Sequence, residues 1–290
     1  MVLEGGPAGG SPGGNGLGWV LWSGTIGLDS PVPARIEAAL AGGYDRMTIG
    51  PPDVARAASG GVSWEALGRS ARDVGLGIVM DPMMGWYNDA PPPGPYAPFR
   101  LDEMLRMCEA LGVTSISVLG PFREDEATPD ELVRRFAVLC DRAADIGAQV
   151  QLEFMPMTTI GDVAAAWAIV ESADRDNGGL VFDTWHFFRG TPDFEDLDRV
   201  PGDRIFAVQI ADAPAQLQGT LADDTFNRML PGDGDLDLIG VIRALDRMGG
   251  LRWVGPEVIS PLTASMPPVE AARLAGDRVR ELLAAARSGV

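Results

Sequence analysis

From residue 17 onward, short apolar runs alternate with longer stretches whose apolar residues recur at helical spacing. The short runs are "LGWVLWS" (17–23), "YDRMTIG" (44–50), "LGIVMDP" (76–82), "TSISVLG" (114–120), "AQVQLEF" (148–154), "GLVFDTW" (179–185), "RIFAVQIAD" (204–212) and "RWVGPEV" (252–258). Each predicts a strand. The longer stretches, such as "SPVPARIEAALAGG", "SWEALGRSARDVG", "TPDELVRRFAVLCDRAADIG" and "TIGDVAAAWAIVESA", predict helices. Several begin at Ser, Thr or Asp and stop at Gly, the residues that cap helices at either end.

Eight strand–helix repeats in series predict a parallel sheet, and eight such units close into a (β/α)8 TIM barrel, a single domain over 17–290. A doubly wound open sheet is the alternative topology. No Gly-x-Gly-x-x-Gly follows a strand, so nothing points to a dinucleotide. The longest βα loops follow strands three and seven, on the side where barrels build substrate sites. Residues 1–16, "MVLEGGPAGGSPGGNG", lack the basic and apolar regions of a signal peptide and read as a flexible Gly/Pro-rich tail.

Composition narrows the chemistry. A formal charge of −18 argues against a nucleic-acid partner, which clustered Lys and Arg would have to hold. All 23 basic residues are arginine, so no mechanism can pass through a lysine Schiff base. The single histidine, His186, excludes a multi-histidine zinc site. Cys108 and Cys140 fall within helical patterns and read as buried thiols of a reducing compartment. No apolar run approaches the roughly 18 to 20 residues that span a bilayer. The expectation is a cytoplasmic protein with no membrane association.

Strand five ends in Glu153, strand six in Asp183 and strand eight in Glu257, while strand seven carries Gln209. An ionised side chain after an apolar run is costly unless it is paired or coordinated. At successive strand ends of a barrel these groups converge on one point. Three carboxylates and an amide oxygen suit Mn²⁺ or Mg²⁺, with Co²⁺ as a further option, more than zinc.

The chain resembles the xylose-isomerase-like barrel family, the sugar phosphate isomerase/epimerase superfamily. "ARIEAALAGGYDRMTIG" is similar to its first helix and second strand, and "QLEFMPMTTIGDVAAAWAIV", "GLVFDTWHFFRG", "RMLPGDGDLDL" and "WVGPEV" to its later motifs in order. The resemblance implies that Glu153, Asp183, Gln209 and Glu257 hold a divalent metal. It implies that His186 approaches the substrate's hydroxyls, that Arg228 contacts substrate, and that Glu153 and Glu257 exchange the substrate proton. Two departures stand out. Gln209 occupies a position where ketose 3-epimerases usually have histidine. Thr159 lies where those enzymes carry a second glutamate. An amide at that ligand position is closer to the dehydratase branch, which acts on 3-dehydroshikimate or keto-inositol.

The chemistry expected is metal-stabilised enolate proton transfer on a sugar or polyol-like carbonyl compound, an isomerase or epimerase reaction. The alternative is a lyase of the dehydratase kind using the same residues. His186, with an unperturbed pKa near 6.5, suits protonation of a departing hydroxyl or a hydrogen bond to substrate. A third reading, a non-catalytic carbohydrate-binding barrel, would entail loss of the metal ligands. Trp22, Trp86 and Trp185 are candidate pocket walls for a sugar-like or cyclitol-like small molecule. With no lysine and no phosphate cradle the substrate is expected to be unphosphorylated, although Arg123, Arg189 and Arg228 could hold an anion. Relatives often form homo-oligomers, and no sequence feature fixes an interface.

Overall fold

A computed structural model describes residues 16–288, and in it all eight apolar runs are strands. They are β1 (Gly18–Leu21), β2 (Arg46–Ile49), β3 (Gly77–Met83), β4 (Ser115–Leu119), β5 (Gln149–Glu153), β6 (Gly178–Asp183), β7 (Ile205–Ile210) and β8 (Trp253–Pro256). Each pairs in parallel with the next, and β8 returns to β1, closing a (β/α)8 barrel. The strands are buried on both faces, by the barrel interior and by the helices, so most read as continuous apolar runs, while β4 (SISVL) and β5 (QVQLE) alternate because their inner face is polar. The expected tail over 1–16 lies outside the described residues apart from Gly16.

The helices start where the sequence offers oxygen acceptors. Ser63, Thr128, Asp162 and Asp237 each accept a backbone N–H from the first turn of the helix that follows. Gly43, Gly112 and Gly249 end helices in the left-handed conformation. Cys108 and Cys140 are buried, unpaired thiols, each pushed up to about 12 by burial. No helix among the described residues is long and apolar enough to cross a membrane.

The pleat divides the barrel interior into layers. At the amino end of the strands the Arg46 guanidinium lies 3.4 Å from the centre of the Trp253 ring and closes the floor. Gly18 makes room for it, since a Cβ there would fall 2.2 Å from that ring. Above the floor Val20, Val79, Val181 and Ala207 pack with Trp22. Higher still the lining turns polar: Gln151 donates to the Ser117 hydroxyl at 2.7 Å, and Thr48 accepts from the Ser23 amide at 2.9 Å. This change places an apolar plug under a polar mouth at the carboxyl ends of the strands.

Candidate active site

Glu153 and Asp183 are the last residues of β5 and β6, Gln209 is the cross-strand partner of Asp183, and Glu257 follows β8. Asp183 is the anchor. Its Oδ1 caps the short helix Thr184–Arg189 by accepting the His186 amide at 3.0 Å. Its Oδ2 accepts from Arg228 Nη1 at 2.8 Å, and the same nitrogen reaches Glu257 Oε2 at 2.9 Å. Ligand atoms of Glu153, Asp183 and His186 all lie within 4.8 Å of one another.

The cap fixes the histidine, because one helical turn after Asp183 carries its ring back over the strand end. His186 Nδ1 stands 2.9 Å from the Phe154 carbonyl and 3.2 Å from Glu153 Oε1. Nε2 stands 3.2 Å from Arg228 Nη2. A carbonyl only accepts and a guanidinium only donates, so Nδ1 carries the proton and Nε2 offers its lone pair. Burial pushes this imidazole down to about 4, and Arg228 acts in the same direction against Asp183. His186 is thus a buried ring held below histidine's ordinary range, with its Nε2 lone pair turned toward Arg228.

The carboxyls feel an excess of negative charge. Burial alone would raise Asp183, but Arg228 and hydrogen bonds from its neighbours, the His186 amide among them, hold it well below the usual carboxylate range. Glu153 is raised well above that range by burial and by Asp81 and Asp183. Glu257 is raised likewise by burial, against the pull of Arg228 and with Asp183 and Glu153 adding to the rise. One guanidinium therefore faces several carboxyls. The Gln209 side chain is fully buried, and neither its oxygen nor its nitrogen has a hydrogen-bond partner. Such an amide costs about 1–3 kcal/mol unless something takes it up. Hard oxygen donors, surplus negative charge and an orphaned amide fit a divalent cation.

The aromatic expectations divide. Trp22 faces the barrel interior against the valine plug. Trp185 is buried beside the site, with Arg228 4.9 Å from its ring centre and its Nε1 donating to Asp224 at 2.8 Å. Trp86 is turned into the core, donating to the Leu119 carbonyl at 2.7 Å and packing edge-on against Phe136 of the helix Pro129–Asp145. Arg228 alone of the three arginines considered for an anion reaches the mouth: Arg123 pairs with Asp125 in solvent and Arg189 with buried Asp224.

Two features escaped sequence reasoning. Asp212, just past β7, accepts the amides of Gly232, Gly234 and Leu236 at 3.0–3.1 Å and so folds the loop that delivers Arg228. Asp81, near the end of β3, joins the interior acidic groups and is pushed up to about 7 by burial and by Asp183. Its signal, a carboxylate ending the apolar run "LGIVMDP", is the one read on strands five, six and eight.

A parallel barrel with acidic side chains converging at the carboxyl ends of its strands has the architecture on which barrel enzymes build their sites. The family profile described as xylose isomerase-like TIM barrel matches residues 36–282, and the chain belongs to that family. It is 31% identical over 164 residues to the inosose isomerase of Bacillus velezensis, across 54% of this chain and 58% of that protein. It is 24% identical over 277 residues to the 3-dehydroshikimate dehydratase of Pseudomonas putida, across 89% of this chain and 40% of that protein. The matches thus span less than two thirds of either relative's length. The crystal structure of the IolI protein with a zinc atom superposes with a TM-score of 0.78 at 22% identity, covering 93% of this chain and 99% of that one.

Proposed function

We propose that the protein is a divalent-metal-dependent isomerase or epimerase of a sugar or cyclitol carbonyl compound. The observation that carries this reading is the orphaned Gln209 amide at the barrel mouth where Glu153 and Asp183 cluster with His186 and Arg228 ties Glu257 to Asp183. Glu153, Asp183, Gln209 and Glu257 would hold the cation, and their all-oxygen set favours Mn²⁺ or Mg²⁺. When bound there, the cation supplies Lewis acidity toward a carbonyl and its neighbouring hydroxyl.

The chain's own residues supply the rest. Glu153 and Glu257, at the ends of β5 and β8, would take a C–H proton and give it back. Asp183 stays ionised under Arg228 and serves as the fixed charge. The Arg228 guanidinium and the His186 Nε2 lone pair form a donor–acceptor pair that can bind substrate oxygens, held in place by Trp185 and the Phe154 carbonyl.

A lyase of the dehydratase kind is the second reading. It is favoured by the amide at Gln209 and by Thr159, which is exposed and brings no second acidic group to the mouth.

Metal analysis and solvent-deuterium exchange on keto-inositols and ketoses test both. Deuterium uptake with retained formula supports the isomerase, and loss of water supports the lyase. Absence of a bound or activating divalent metal would sink both.

A further inference from the structure

Asp81 is not needed to hold the cation, yet it occupies the mouth. It lies two residues beyond Val79, whose side chain packs in the barrel interior, so the strand alternation points Asp81 inward as well. The β3–β4 register shifts between Met80 and Met83, a bulge that spans Asp81 and re-aims side chains at the strand end. Asp183 and Gln209 are fully sealed, whereas Asp81 keeps 7% of its surface open.

Its surroundings are those of a binding wall. Ser117 and Thr48 stand on the flanking strands β4 and β2, and their hydroxyls favour its charged form. Arg35, the one cation acting on it, is committed elsewhere: its guanidinium bonds Asp53 twice, at 2.8 and 3.0 Å, and the Ser30 and Leu28 carbonyls. The Tyr96 hydroxyl hangs over the same corner, 3.6 Å from where a Cβ on Gly50 would lie. The layer directly below is filled by valines and an alanine, so packing alone calls for no carboxyl here. A buried carboxyl flanked by hydroxyls, without its own cation, is matched by a ligand that brings a hydroxyl.

We propose that Asp81 binds a hydroxyl of the substrate remote from the reacting carbons and so selects polyhydroxylated compounds, cyclitols or sugars with a free hydroxyl beyond the pair facing the cation. This deepens the proposed function and rests on it for the placement of the reacting end. By strand order β3 stands four strands from β7, so Asp81 faces Gln209 across the mouth and the substrate would bridge the two walls.

The test uses the full chain with Mn²⁺ and myo-inositol, a polyol without a carbonyl, in calorimetric titrations. Asp81→Asn should weaken inositol binding about tenfold or more while Mn²⁺ affinity stays within about threefold. Wild type should bind at least one monodeoxy inositol as weakly as Asp81→Asn binds inositol. Undiminished inositol binding by Asp81→Asn would overturn the assignment, as would absence of inositol binding by the Mn²⁺-loaded wild type. If Asp81→Asn does not fold, the wild-type comparison decides alone: equal affinity for inositol and every monodeoxy inositol refutes the role. Asp81-dependent inositol binding without solvent exchange on any keto substrate leaves Asp81 standing and removes the isomerase reading.

Discussion

Arg228→Met tests the electrostatic account of the site most directly. In the metal-free protein it removes the cation that bridges Asp183 at 2.8 Å and Glu257 at 2.9 Å and that donates to His186 at 3.2 Å. Methionine keeps most of the volume, so the loss is of charge. Stripping one partner from a buried ion pair costs about 3–5 kcal/mol. An unfolding entropy near 2.1 cal/mol/K per residue gives about 0.6 kcal/mol/K for this chain, so the midpoint should fall by about 5–8 °C. The pH dependence has a definite sign. Asp183 is depressed in the folded state, so it contributes stability above its unfolded value of 3.8 that is lost as pH falls through the lower folded value. The deficit of the variant should be full at pH 8 and shrink below about pH 4. Mn²⁺ should then substitute for the missing charge. Ligand at a hundredfold excess over Kd stabilises by about 2.7 kcal/mol, and tighter binding in the variant enlarges this. The assay is thermal unfolding in EDTA and in graded Mn²⁺, at several pH values. An unchanged midpoint in EDTA, or a smaller Mn²⁺ shift in the variant than in wild type, refutes the reasoning.

Gln209→Leu replaces the orphaned amide by an apolar group of similar size. The EDTA-treated variant should melt higher, by an amount set by about 1–3 kcal/mol, while its Mn²⁺ affinity falls; a lower midpoint in EDTA would count against a vacant ligand role. Glu153→Gln should reduce metal occupancy, read by elemental analysis, and abolish solvent exchange, so full activity would remove Glu153 from the site. His186→Ala should leave Mn²⁺ binding within a few-fold and slow turnover by about tenfold, the loss of one hydrogen bond to substrate. Unaltered turnover would reduce the ring to a packing group.

Much of this was visible in the chain. Six of the eight strands lie within the runs that predicted them, and β3 and β6 overrun theirs by one residue, at Met83 and Gly178, because a strand covered on both faces is apolar over most of its length. Glu153, Asp183 and His186 cluster because strand ends and one capped turn place them, and both are local rules. What was not legible depends on direction. Trp86 follows strand three closely, but the loop path turns its ring outward onto Phe136. Arg228 sits in a long loop, and only the Asp212 amide cradle shows how it returns to the strand ends. The histidine was placed by its spacing from Asp183, but its neutral tautomer follows from Phe154 and Arg228, which local pattern does not reveal. Asp81 was readable by the same strand-end rule and was passed over because it lies on β3, before the run of ligand-bearing strands.

The Arg46–Trp253 stack closes the amino end of the barrel, so the strand-end carboxyls are reached from the carboxyl end. Whatever enters at the mouth must leave by the way it came. Substrate and product cannot pass one another, and release has to be complete before the next molecule binds. For the proposed reaction, steady-state kinetics should therefore show product inhibition of the purely competitive kind, and a bulky ligand lodged at the rim would stop turnover without touching a single reacting group.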